Sequence, residues 1–339
     1  MADLDDPAEL TARDGGRLLA IARAGANVRH IAAQRIDALR GADIGAFGVL
    51  CSELLSPAAG AGLAQLCTRL GAPIGTPLPA LDARAEFPRA ADLVVIVSVN
   101  GLERRLLDAV HLAAARGAEV IVVAPESSPI VIAAAERHLT CVTFGETDDI
   151  TAWWSAVAAI AASFATAELA ALADVLDDAA AALGPVVQTY RNPAKQIALL
   201  DSPLLVVATD TPAALAGGLL VDELGARSTW SVRGLDVRFS FTELLGYADE
   251  RSAGGVDDLF YDPQIDGPQT LAPARGLVLL SGARPTDPSA PDVADEALRV
   301  AERIGAVRAV AFGHDEHWSD MALVLLAQLS GTYYTLAND

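Results

Sequence analysis

The chain has 339 residues, with 24 Lys plus Arg against 44 Asp plus Glu, a formal net charge of −20 and 52% apolar residues. Phosphate backbones and anionic membrane surfaces are held by clustered Lys and Arg, so the balance argues against nucleic-acid and membrane partners. The apolar fraction excludes a disordered chain, and at roughly 150 residues per domain the length is that of about two domains.

Apolar residues recur every three to four positions through 8–40 (Leu18, Leu19, Ala22, Val28, Ile31, Ile36, Leu39), which predicts a helix. A short buried strand is expected at 44–50, then a helix from Pro57 to Leu70 stopped at Gly71 with Pro73 beyond. The clearest stretch follows: strand 92–98 (DLVVIVS), helix 101–117, strand 119–125 (EVIVVAP), helix 127–138 and strand 139–144. Strands without polar alternation, separated by helices, belong to a parallel sheet covered on both faces. Residues 1–150 therefore form a first domain. Residues 151–184 form a helical bridge, and 190–200 is helical again. A second strand–helix alternation then occupies 185–339: strand 203–208, helix 211–224, strand 228–232, a helix start at 239–246, an Asp/Gly/Pro-rich loop at 249–274, strand 275–281, helix 290–305, strand 306–312 and a terminal helix over 317–337. Two similar halves suggest an internal duplication.

Cys51, Cys67 and Cys141 are odd in number and far apart, and no CxxC pair exists, so neither a disulfide framework nor a zinc site is expected. The acidic start MADLDDPAEL is unlike a signal peptide, and no stretch approaches twenty apolar residues. A cytoplasmic protein is expected. The sequence has no GxGxxG after a strand, no GxxxxGK[ST] and no GxSxG, which leaves nucleotide binding and a serine-hydrolase elbow unsupported.

Open α/β sheets bind ligands beyond the carboxyl ends of their strands. The first candidate is thus Val97–Arg105, where Ser98 and Asn100 offer polar side chains, Gly101 lets backbone N–H groups approach a ligand and a helix begins. The same residue types also read as a plain turn and cap. The second candidate is Lys195, the only lysine, one turn into a helix opened by Asn192–Pro193; it reads as an anion contact or as an ordinary helix residue. His314 and His317 in HDEHW read as a metal or acid–base pair, or as a solvated loop without a third ligand. Glu243, after Thr242 in FSFTELLG, is a candidate base.

The order of elements, the long helical bridge, the NPAK helix and the FTELLG and GTYYTLA segments resemble the sugar isomerase (SIS) fold family. The likeness is to the two-domain phosphoglucose/phosphomannose isomerases. It implies an α/β fold of two αβα sandwich subdomains, flavodoxin-like, with parallel sheets, in a homodimer that uses no cofactor and no metal. It also implies a sugar-phosphate ligand, held by a loop resembling S-x-S-G-N-T-E. The matching stretch is Ser98 to Arg104: Ser98 and Gly101 fit, Asn100 replaces a Ser, and Glu103 falls where a Thr would touch phosphate. A carboxylate there repels phosphate unless it turns away or is protonated. The family's earlier glycine-rich turn is eroded at Phe47 to Ser52, which leaves Ser52 as a ligand candidate. In place of the family's His-Asn-Glu stands Phe241-Thr242-Glu243, and its base falls near Glu223. The resemblance implies an isomerase converting glucose 6-phosphate or mannose 6-phosphate to fructose 6-phosphate through Glu243 or Glu223, with a degenerate site. The alternative is a non-catalytic sugar-phosphate sensor or partner-binding subunit.

Overall fold

The computed structural model describes residues 3–34, 36, 44–70, 76–82, 84–164, 169–200, 204–208, 211–225, 233–235, 276–281, 307–310 and 318–338. The chain divides into two compact units, Leu19–Asp177 and Met1–Leu18 together with Asp178–Asp339.

The first unit is built on a parallel five-stranded sheet, β1 (Phe47–Cys51), β2 (Thr76–Leu78), β3 (Leu93–Val97), β4 (Glu119–Pro125) and β5 (Thr140–Phe144), in the order β2-β1-β3-β4-β5. All five residues of β3 are buried, as a central strand covered on both faces requires. Side chains alternate between the faces. Leu50, Val94, Ile96, Val120 and Val122 meet Leu106, Ala109 and Val110 of α5 (Arg104–Ala115) and Ile130 and Ala134 of α6 (Pro129–Ala135). Val95, Ile121 and Val123 turn the other way, and α7 (Asp149–Phe164) packs across β3, β4 and β5, touching α3 (Ala24–Ala32) and α4 (Pro57–Arg69). Each fully buried Val or Ile contributes about 1.5–3 kcal/mol, so the continuous apolar strands are what fix the sheet centre. Trp153 of α7 donates its indole N–H to the Ala59 carbonyl (3.2 Å) and meets Trp154 edge to face, with ring centroids 4.7 Å apart.

The helix expected over 8–40 is not one helix. The chain forms α1 (Pro7–Arg13), α2 (Arg17–Ala22) and α3, and the first break falls at Gly15 and Gly16, whose φ values of +62° and +89° end the helical path. Strand β2 carries Pro77, which removes a donor from the ladder; its place at the sheet edge tolerates that loss.

The second unit holds a parallel four-stranded sheet, β6 (Leu204–Ala208), β7 (Arg233–Leu235), β8 (Gly276–Ser281) and β9 (Val307–Val310), ordered β7-β6-β8-β9. That order repeats β2-β1-β3-β4 of the first sheet. With it are the end of α8 (Leu169–Leu183), α9 (Pro193–Ala198), α10 (Thr211–Gly225) and α11 (Ser319–Asn338), whose residues from Asp320 to Ala337 are buried apart from Thr335. The expected strand at 228–232, the helix start at 239–246, the loop at 249–274 and the helix at 290–305 lie outside the described residues. Among the described residues no helix is long and apolar enough to cross a membrane.

Candidate functional site

In a 2-1-3-4-5 sheet the connections leave in opposite directions from β1 and β3, which opens a crevice at the carboxyl ends of those two strands. Both strands deliver a serine there. The register pairs Cys51 with Val97, and the ladder runs one residue further: Ser52 donates its backbone N–H to the Val97 carbonyl (2.7 Å) and Ser98 to the Val123 carbonyl (2.9 Å). Ser52 and Ser98 are thereby side by side in register, both buried. The Ser52 hydroxyl accepts from the Leu54 N–H (3.2 Å).

The turn from β3 into α5 is tightly organised. The Ser98 hydroxyl accepts from the Gly101 N–H (2.9 Å), and the Asn100 side-chain oxygen accepts from the Leu102 N–H (2.9 Å). Gly101 has φ +68°, and any Cβ there would collide with the Ser128 side chain from the β4–α6 turn. Sequence reasoning places Ser98, Asn100 and Gly101 in one turn, and the structure does bring them together there, with Ser52 beside Ser98. It misses Ser128. The only signal for that residue is a second strand-to-helix turn of the same sheet.

Glu103 is the N-cap residue of α5 and makes no capping bond to its own helix. Its side chain instead accepts from the Ser98 hydroxyl with one oxygen and from the Glu53 backbone N–H (3.3 Å) with the other. Arg105, two residues on, is committed elsewhere: it donates to the Cys51 carbonyl (2.6 Å) and to the Pro79 carbonyl, and its Nε lies 3.6 Å from Glu53. Arg104 points outward beside Asp108 (3.9 Å). Burial pushes the Cys51 thiol up to about 12, against the opposing pull of Arg105, so it stays protonated at neutral pH and is no nucleophile.

In the second unit, Lys195 is buried and its Nζ donates to the Pro185 (2.8 Å) and Val187 (2.7 Å) carbonyls, 3.8 Å from the Asp5 carboxylate and 5.6 Å from the Tyr333 ring centre. Burial lowers its pKa, with Asp5 opposing. Glu223 of α10 accepts from Arg17 (3.0 Å) and packs on Gly331 of α11. Glu243, His314 and His317 lie outside the described residues. No group of three or more His, Cys, Asp or Glu that could hold a metal occurs among the described residues.

No family model and no curated protein matches the chain by sequence. Solved structures match it by shape. A glucose-6-phosphate isomerase like protein from Thermus thermophilus is 15% identical, with a TM-score of 0.52 over 100% of this chain and 94% of that one. Glucosamine-6-phosphate deaminase from Thermotoga maritima is 11% identical, with a TM-score of 0.51 over 96% and 95%. The C-terminal domain of glucosamine-fructose-6-phosphate aminotransferase from Francisella tularensis is 10% identical, with a TM-score of 0.52 over 97% and 95%. The chain thus shares the α/β fold of these structures over nearly its whole length.

Proposed function

We propose that the protein binds a sugar phosphate without converting it, as a sensor or partner-binding subunit. The phosphoryl group sits at the β1/β3 crevice, over Ser52, Ser98, Asn100 and Gly101. The observation that carries this reading is the pair of buried serines side by side at the switch point of the first sheet. The whole-chain likeness to structures named for sugar-phosphate chemistry supports the ligand class.

The catalytic reading is an aldose–ketose isomerase of glucose 6-phosphate or mannose 6-phosphate to fructose 6-phosphate. The likeness to a glucose-6-phosphate isomerase like protein favours it. It needs a carboxylate to carry a proton between C1 and C2, and Glu223 and Glu243 are the candidates. Of these, Glu223 is engaged by Arg17. In either reading we take the protein to be a cytoplasmic homodimer that needs no cofactor; Lys195 remains a proposed ligand contact only if its two carbonyl partners are released.

Calorimetric titration with glucose 6-phosphate, mannose 6-phosphate and fructose 6-phosphate, alongside an NMR assay of their interconversion, separates the readings. Binding without turnover, weakened tenfold or more by Ser98→Ala, is the expected result. Turnover abolished by Glu223→Gln or Glu243→Gln would establish the isomerase instead. Absence of binding by all three sugar phosphates would overturn both.

A further inference from the structure

At the β1/β3 crevice the donors of an anion site are already in use, and a carboxylate of the chain itself is using them. Ser98 is fully buried, yet its hydroxyl proton goes to Glu103, an acceptor supplied from five residues away. The second Glu103 oxygen takes a backbone N–H from the β1–α4 turn, at Glu53. One hydroxyl from the end of β3 and one N–H from the end of β1, converging on two oxygens of one anion, is how a bound phosphate or carboxylate is held at such an edge. A glutamate at an N-cap would ordinarily be drawn to the free N–H groups of its own helix; Glu103 makes no such bond. A second hydroxyl waits beside the turn. Ser128 is buried, its side chain faces Gly101, and its Oγ has no hydrogen-bond partner among the described residues. A buried hydroxyl left without a partner carries an uncompensated desolvation cost, which a ligand oxygen reaching the turn would recover.

We infer that Glu103 is an internal occupant of the anion site: its carboxylate stands where the phosphoryl group of a ligand binds, and a ligand must displace it. The inference rests on the sugar-phosphate reading and adds the site's regulation to it. Hydrogen bonds to a carboxylate and to a phosphate oxygen are of similar strength, so the incoming anion exchanges like for like and gains little. Two anions on the same donors also repel. Glu103 therefore weakens phosphate binding and favours ligands whose remaining groups bind well enough to move it.

The test is calorimetric titration of the full chain with inorganic phosphate, at ionic strength held constant with sodium chloride. Glu103→Ala is expected to bind phosphate at least tenfold more tightly than the unsubstituted protein. Glu103→Gln, which keeps the volume and a carbonyl acceptor, should gain in the same direction by less. Adding Ser98→Ala to Glu103→Ala should abolish the gain, and adding Ser128→Ala should reduce it. Thermal melts of each variant establish that it is folded, and Glu103→Gln carries the test if Glu103→Ala is not. Equal phosphate affinity in the folded variants, or a gain that Ser98→Ala leaves intact, overturns the inference. Fructose 6-phosphate, titrated in parallel, separates the two levels. If it binds the unsubstituted protein and Glu103→Ala leaves its affinity unchanged, the internal-occupant inference falls and the sugar-phosphate reading stands. If neither probe binds any variant, both fall.

Discussion

Lys195 illustrates how far a residue's neighbours decide its work. The last carbonyls of a helix have no partner within it, and three side chains serve the end of α8 and the residues that follow it. Asn192 donates to the Leu183 (2.8 Å) and Gly184 (3.2 Å) carbonyls, Tyr333 donates to Leu183 (2.9 Å), and Lys195 donates to residues 185 and 187. A cation at the negative end of a helix is also favoured by the aligned peptide dipoles. The same Asn192 caps α9 by accepting from the Ala194 (3.0 Å) and Lys195 (3.3 Å) N–H groups. Replacing Lys195 with Met leaves two carbonyls to find water. We expect a loss of about 1–3 kcal/mol from the second unit, read as faster hydrogen exchange over 185–199 with exchange in β1–β5 unchanged. Asn192→Ala should cost about 0.5–2 kcal/mol through the cap alone, and more with its two donated bonds gone. The sequence showed Asn192–Pro193 as a helix start, since a cap is a local pattern. It did not show the partners of Lys195, because a helix terminus becomes a cation site only once a later turn folds back on it.

At the scale of elements, the turn between β3 and α5 depends on a residue that reaches φ +68° beside Ser128. An L-residue pays roughly 1–2 kcal/mol for the left-handed conformation, and the collision with Ser128 adds to it. Gly101→Ala should therefore lower stability by about 2 kcal/mol or more, measured by denaturant titration followed through a probe in the first unit, and should loosen the Ser98–Glu103 contact with it. The strands on either side of this turn were legible because uninterrupted Val, Ile and Leu admit one reading, a sheet covered on both faces. Elements that depend on a neighbour were not. Strand β2 is three residues with a proline, and it is a strand only because β1 offers an edge to Thr76, Pro77 and Leu78. The helix expected through 8–40 failed because apolar spacing persists across Gly15 and Gly16 while the backbone does not. In the site, Ser98, Asn100 and Gly101 were legible as a strand-end turn, whereas the Glu103 bond to the Glu53 N–H joins residues 50 positions apart. Such a bond is invisible until β1 and β3 are paired.

On the scale of the whole chain, the first eighteen residues belong with Asp178–Asp339 rather than with the sheet that follows them in sequence. Three contacts account for this. Asp5 accepts from the Thr189 N–H (2.7 Å) and hydroxyl (2.9 Å), Lys195 stands 3.8 Å from the same carboxylate, and Arg17 donates to Glu223 (3.0 Å). Leu10 of α1 is fully buried as well. The pairs lie far apart in sequence, 184 residues for Asp5–Thr189 and 206 for Arg17–Glu223, so no local pattern announces them. Leu10→Ala should cost about 2–5 kcal/mol, and the loss should appear in the exchange of α9 and α10 while β1 to β5 keep their protection. Asp5 adds a pH signature. The Thr189 bonds, followed by the charge of Lys195, hold its carboxyl below the ordinary 3.8. A carboxyl depressed on folding stabilises fully above its unfolded value, and that contribution fades as the pH falls below 3.8 through the folded value. Asp5→Ala should therefore lower protection of α9 at neutral pH and flatten its further loss below pH 3.8, relative to the unsubstituted protein. Parallel acid profiles in the two proteins would mean that the N-terminal segment is held by Leu10 and Arg17 without help from Asp5.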